Sequence, residues 1–117
     1  MKKLALLMGM ILMLSACTGT TGKEQTGANG KSFHIGINQF AEHPALDAVR
    51  SGFEQELKAL GVEAELDWKN AQADIPAAAK ISEKFVEDRV DLILAIATIS
   101  AQSAKTATTE SKIPVLF

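Results

Sequence analysis

Three features of this sequence predict an α/β fold built on a doubly wound parallel sheet. Four short apolar runs, starting at Phe33, Val62, Val90 and Ile113, alternate with three segments of helical periodicity. Within the third run, Leu92 to Ala97 carries no polar residue and is as long as a strand rather than a helix. That pattern reads as a strand covered on both faces. Pro44, Gly61 and Pro76 fall where helices would begin or end.

The elements follow in order. Phe33–Asn38 (FHIGIN) places Phe33, Ile35 and Ile37 in alternation and forms the first strand, and Gly36 inside it marks a close approach by another part of the chain. Pro44 suits the first turn of a helix, because its missing N–H has no partner to lose there. Leu46, Val49, Phe53, Leu57 and Leu60 then recur in steps of three and four and form one stripe, with Gly61 as a left-handed terminator. Val62–Trp68 alternates Val62, Ala64, Leu66 and Trp68 as a second strand. The loop KNAQAD ends on Asp74, a side chain suited to capping a helix whose apolar positions are Ile75, Ala78, Ile81 and Phe85. After the central strand comes an alanine-rich helix with Ala101, Ala104 and Ala107 on one face, small enough to lie close to the sheet. Ile113–Phe117 is the fourth strand. The order β-α-β-α-β-α-β with right-handed crossovers puts helices on both faces. A buried strand ordinarily leads into a loop and a covering helix, so residues 33–117 are expected to be an incomplete lobe.

The N-terminal residues read differently. Lys2 and Lys3 precede an apolar stretch, Leu4–Leu14, that is too short to cross a bilayer as a helix and suits a signal peptide. Leu14, Ser15, Ala16 and Cys17 resemble the lipobox of bacterial lipoproteins, which implies cleavage after residue 16 and acylation of Cys17. Residues 17–32 contain no apolar side chain larger than alanine beyond that cysteine, as expected of a flexible tether.

Composition narrows the function. The 117 residues allow one domain, and the formal charge of −2 becomes −4 once Lys2 and Lys3 are removed, which argues against nucleic acid as a partner. A single cysteine excludes an intramolecular disulfide and a cysteine-based zinc site. No GxGxxG, GxxxxGK[ST] or GxSxG motif is present, so the sequence points away from an enzyme and names no cofactor or metal.

Ligands of open α/β sheets bind outside the carboxyl ends of the strands, and three groups of residues fall there. Thr98 and Ser100, with the N–H groups of Ala101 and Gln102, would form an anion cradle at a helix N-terminus; plain capping by either hydroxyl is the competing role. Asn38, Gln39, Glu42 and His43 follow the first strand, where His43 fits either a helix start or a ligand contact. Asn70 and Gln72 reach the same crevice from the second strand, unless they serve only as turn chemistry.

The words IGINQFAEHPALD, GFEQELKALG, KNAQAD, FVEDRVDLILAIAT, SAQSAKTAT and IPVLF run in order through the folded part. With them the chain resembles bacterial ABC-transporter substrate-binding lipoproteins of the group associated with aromatic amino acids such as tryptophan and tyrosine. The resemblance implies a type I periplasmic-binding-protein fold, in which two lobes joined by a hinge close on a small-molecule ligand. It also implies a membrane permease and ATPase as partners, and a location outside the cytoplasm on a lipid anchor. By the same resemblance Gln39, Glu42 and His43 line the cleft, and Thr98 and Ser100 hold the ligand's carboxylate or another polar end. Two positions depart from the pattern: Ile99 stands in place of a proline and Ala73 in place of a glycine. The rival expectations are the sensing lobe of a cell-surface receptor and, further off, an exported enzyme whose nucleophile lies elsewhere.

Overall fold

The computed structural model describes residues 30–117, so the expected signal peptide, Cys17 and most of the tether lie outside the described residues. Seven elements follow one another: β1 (Phe33–Gln39), α1 (Pro44–Ala59), β2 (Ala64–Asn70), α2 (Ile75–Glu87), β3 (Leu92–Ile96), α3 (Thr98–Ala107) and β4 (Val115–Leu116). All pairings are parallel and the strand order is β2-β1-β3-β4. The chain therefore winds outward from β1 in one direction and from β3 in the other, and the order reverses between these two strands.

The period-two pattern of the strands decides which helix covers which face. Ile35 and Ile37 of β1, with Leu94 and Ile96 of β3, pack under Leu46, Phe53 and Leu57 of α1. Ile93 and Ala95 point the other way, into a cluster with Phe85 of α2 and Ala104 of α3. A Cβ built on Gly36 would lie 2.6 Å from the Phe85 ring, so the glycine lets α2 rest directly on β1, and the close approach expected there is present.

The two helix-start prolines, the expected cap Asp74 and the expected terminator Gly61 act as read. Pro44 and Pro76 sit in the first turns of α1 and α2, and Asp74 accepts a hydrogen bond from the Ala77 N–H at 3.0 Å. Gly61 takes φ +68° after the last turn of α1. Three details differ. The α1 stripe is narrower than its periodicity predicts, since Val49 is 52% and Leu60 62% exposed. Ile75, at the first position of α2, is likewise turned outward. The fourth strand shrinks to Val115–Leu116, because it pairs with β3 at only two register positions.

At the opposite end of the sheet from the strand carboxyl ends, Asp91 and His34 tie β1 to the start of β3. The Asp91 carboxylate accepts the His34 N–H at 2.9 Å, and the Asp91 N–H donates to the His34 carbonyl at 2.7 Å. This backbone donor, helped by Lys31 at 3.7 Å, holds the Asp91 carboxyl below the usual carboxylate range. A lowered native pKa means the contact stabilises the fold fully above the ordinary carboxylate range. That contribution disappears as pH falls through the native value. Asp91→Asn is expected to flatten the acid limb of a melting-temperature profile recorded between neutral pH and pH ~3, the span in which carboxylates titrate.

Candidate functional site

The carboxyl ends of β2, β1 and β3 finish level with one another, with Asn70 and Ile96 both in register with Gln39. Backbone hydrogen bonds knit the loops that leave them. The Phe40 N–H donates to the Ile96 carbonyl at 3.2 Å, while the Phe40 carbonyl accepts the Ala73 N–H at 2.8 Å. The three expected groups of residues are thus on one rim, at the point where the strand order reverses. Open α/β sheets place their crevice at such a switch point.

The side chains divide into those that face outward and those that do not. Glu42, His43, Gln72 and Thr98 are exposed, and Asn70 is half-buried. His43 is the N-cap of α1, its Nδ1 accepting the Ala45 N–H at 3.2 Å, which is the helix-start role weighed for it. Asn70 Oδ1 accepts the Gln72 N–H at 2.8 Å and shapes a turn in which Gln72 and Ala73 both take left-handed φ, 54° and 60°. The conformation at Ala73 is one glycine adopts at no steric cost.

Gln39 and Ser100 are fully buried, and their polar atoms already have partners. The Gln39 amide donates to the Ala41 carbonyl and to Asp47 of α1, both at 2.8 Å, and accepts the Trp68 indole N–H at 3.1 Å. Trp68 sits at the rim with its ring beneath the Arg50 guanidinium at 4.8 Å. The ring did not stand out in the sequence as part of a site; Asn38 did, among the residues at the end of the first strand, and it is also fully buried.

The start of α3 corrects the expected cradle. The helix begins at Thr98, three residues earlier than a cap at Ser100 requires, and its N-cap is Ala97. Ser100 is therefore inside the first turn, where its hydroxyl donates to Asn38 Oδ1 at 3.1 Å instead of capping. The Ala101 N–H is also occupied, bonded to the Ala97 carbonyl at 3.0 Å. The donors left at this helix end are the N–H groups of Thr98, Ile99 and Ser100, as helix geometry requires. Among the described residues no side chain caps them, whereas α1 and α2 carry His43 and Asp74 in that role.

Ala97 leads into this turn with φ 88° and ψ 155°, a region that only glycine visits freely. Ala97→Gly is expected to raise the stability of the fold by about 1 kcal/mol, the relief of strain exceeding the added freedom of the unfolded chain. Chemical denaturation reads this as a higher midpoint at constant slope. Beside the turn, between β3 and α3, a cavity of about 480 Å³ is lined by Ala97, Thr98, Gln102, Lys105 and Phe117 among others. Of the expected site residues it includes Thr98.

What this rim can do chemically follows from its donors. Uncapped amides at the positive end of a helix dipole favour an anion, while neighbouring apolar walls suit a small organic molecule. No group of three or more His, Cys, Asp or Glu side chains that could hold a metal ion occurs among the described residues.

Comparison with known proteins agrees with the fold. Residues 34–117 match the model of the family described as ABC transporter substrate binding protein. A tyrosine-binding protein of Clostridioides difficile (strain R20291) is 38% identical over 116 residues, covering 92% of this chain and 33% of the relative. The ligand-free, open structure of a substrate-binding protein with adhesive properties from Clostridium difficile superposes with a TM-score of 0.68 at 46% identity, over 72% of this chain and 29% of that one. An ABC domain in complex with L-Trp from Streptococcus pneumonia gives a TM-score of 0.68 at 32% identity, over 73% of this chain and 29% of the other. The chain thus spans about a third of the length of the relatives it matches. A four-stranded parallel lobe with its rim at the β1/β3 switch point, matched over nearly all of its folded length, belongs to the ABC transporter substrate-binding protein family.

Proposed function

We propose that this chain supplies one ligand-holding lobe of an extracytoplasmic solute-binding protein that delivers an amino acid to an ABC importer. The single observation that carries the reading is the start of α3. It is an uncapped helix end at the switch point of the sheet, and its free amides suit the carboxylate of a zwitterionic ligand. The relatives named for tyrosine and solved with L-Trp support an aromatic side chain on that ligand.

In this reading the exposed rim residues Glu42, His43, Gln72 and Thr98, with the half-buried Asn70, meet the ligand, and Gln39 and Ser100 act from beneath the surface. A second lobe completes the shell, and the ligand favours the closed arrangement by touching both lobes at once. Membrane permease and ATPase subunits then receive it. Acylated Cys17 would keep the protein at the outer face of a membrane, and residues 17–32 would give it reach.

Isothermal titration of the intact gene product tests the proposal. L-Tyrosine and L-tryptophan are expected to bind, and tyramine, which lacks the carboxylate, to bind at least about a hundredfold more weakly, a difference of some 2.7 kcal/mol. Equal affinity for tyrosine and tyramine would remove the role given to α3, and binding of neither amino acid would remove the ligand class.

A further inference from the structure

The start of α3 combines two weaknesses. Among the described residues no side chain caps it, and the residue before it holds a backbone conformation that an alanine avoids. Such a conformation persists only where surrounding structure over-determines it. In the same turn, the Ser100 hydroxyl donates to Asn38 Oδ1.

Asn38 is fully buried near the carboxyl end of β1, on the face covered by α2 and α3, and its amide is used completely. Its Nδ2 donates to the Ala78 carbonyl at 2.9 Å and to Ser82 Oγ at 2.8 Å, both on α2. Its Oδ1 accepts the Ser100 hydroxyl at 3.1 Å, on α3. Ser82 is held in turn by donating to the Ala78 carbonyl at 3.2 Å. Asn38, Ser82 and Ser100 are each shielded from solvent, so water does not compete for these bonds. The amide cannot rotate without breaking all of them. It therefore fixes where the first turn of α3 sits relative to the strand ends.

We infer that Asn38, acting through Ser100, is a positioning residue for the ligand-binding amides of α3, and that neither side chain touches the ligand. The inference rests on the reading under Proposed function, since it assigns those amides to the ligand. It gives the two polar residues of this pair a role that exposure could not reveal. They hold three backbone donors in register with the rim, and the strain at Ala97 is sustained by the same contact.

The test compares two buried hydroxyls of α3 in the intact gene product. Ser100→Ala removes the bond to Asn38. Thr108→Ala removes a bond of similar kind at the far end of the helix, where Thr108 Oγ1 donates to the Ala104 carbonyl at 2.8 Å. Titration with L-tyrosine is expected to show about a tenfold loss of affinity for Ser100→Ala and less than a twofold change for Thr108→Ala, although both lower the melting temperature. Hydrogen exchange of the Ala101 amide, whose bond to the Ala97 carbonyl closes the turn, is expected to accelerate only in Ser100→Ala. If Ser100→Ala does not fold, Ser100→Cys, with a weaker donor, is expected to show the same selectivity at smaller size. Equal affinity losses in the two alanine variants, or unchanged exchange at Ala101, would overturn the assignment. If the wild-type protein binds neither L-tyrosine nor L-tryptophan, the reading of function fails by itself, and the exchange rates still decide whether Asn38 and Ser100 position the turn.

Discussion

Gly36→Ala is expected to lower the unfolding free energy by about 3 kcal/mol, the upper part of the range for overpacking a closed core. The added methyl would lie 2.6 Å from two ring carbons of Phe85 and 2.8 Å from a third. Phe85 has no accessible surface and is enclosed by Val90, Ile93, Ala95 and Ala104, so its ring has nowhere to retreat. Either α2 lifts from the sheet or β1 bends away from it. Lifting α2 also disturbs the Asn38–Ala78 and Asn38–Ser82 bonds, which extends the damage to the rim. Thermal unfolding of the purified protein measures the effect. Pairing Gly36→Ala with Phe85→Leu should recover part of the loss, because the smaller side chain opens room for the methyl. A double-mutant cycle with no coupling would show that the two residues do not meet as described.

Thr98→Asp is expected to abolish ligand binding, with at least a hundredfold loss of affinity, while leaving the fold as stable as before or slightly more so. Thr98 is exposed at the first position of α3. A carboxylate there occupies the same amides that the ligand's carboxylate would use and repels it as well. Negative charge at a helix N-terminus stabilises the helix by about 0.3–1 kcal/mol, so the melting temperature should not fall. The combination separates a blocked site from a damaged protein. Thr98→Val, which removes only the hydroxyl, is expected to cost much less affinity, since backbone donors carry the anion. A Thr98→Asp variant that still bound tyrosine normally would place the ligand's carboxylate elsewhere.

The sheet was legible because its signals are local. Leu92–Ala97 is long enough for a strand and too short for a helix, and the alternation in FHIGIN assigns Ile35 and Ile37 to one face and Gly36 to the other. Pro44, Gly61 and Asp74 mark helix ends by their own chemistry, and the structure uses each of them accordingly. The exposed rim was legible for the same reason, since a parallel sheet sends the loops after each strand to one end.

What could not be read depends on partners distant in the chain. Ser100 looks like a cap in sequence, and it is drawn inside the first turn by Asn38, 62 positions earlier. Gln39 ends a strand as expected, yet its amide is taken by Asp47 and by Trp68, 29 positions away. The start of α3 was displaced because Ala97 adopts a positive φ that nothing about an alanine announces. The width of the α1 stripe misled similarly: Val49 and Leu60 keep the helical period but lie beyond the edge of the surface that Ile35, Ile37, Leu94 and Ile96 offer.

A crystal structure of the intact gene product with L-tyrosine bound tests the central claim most directly. The account predicts the ligand's carboxylate within hydrogen-bond reach, about 2.7–3.2 Å, of the Thr98 and Ile99 amides, with Asn38 and Ser100 still bonded beneath them. A carboxylate held at some other part of the rim, with the first turn of α3 left to solvent, would contradict it.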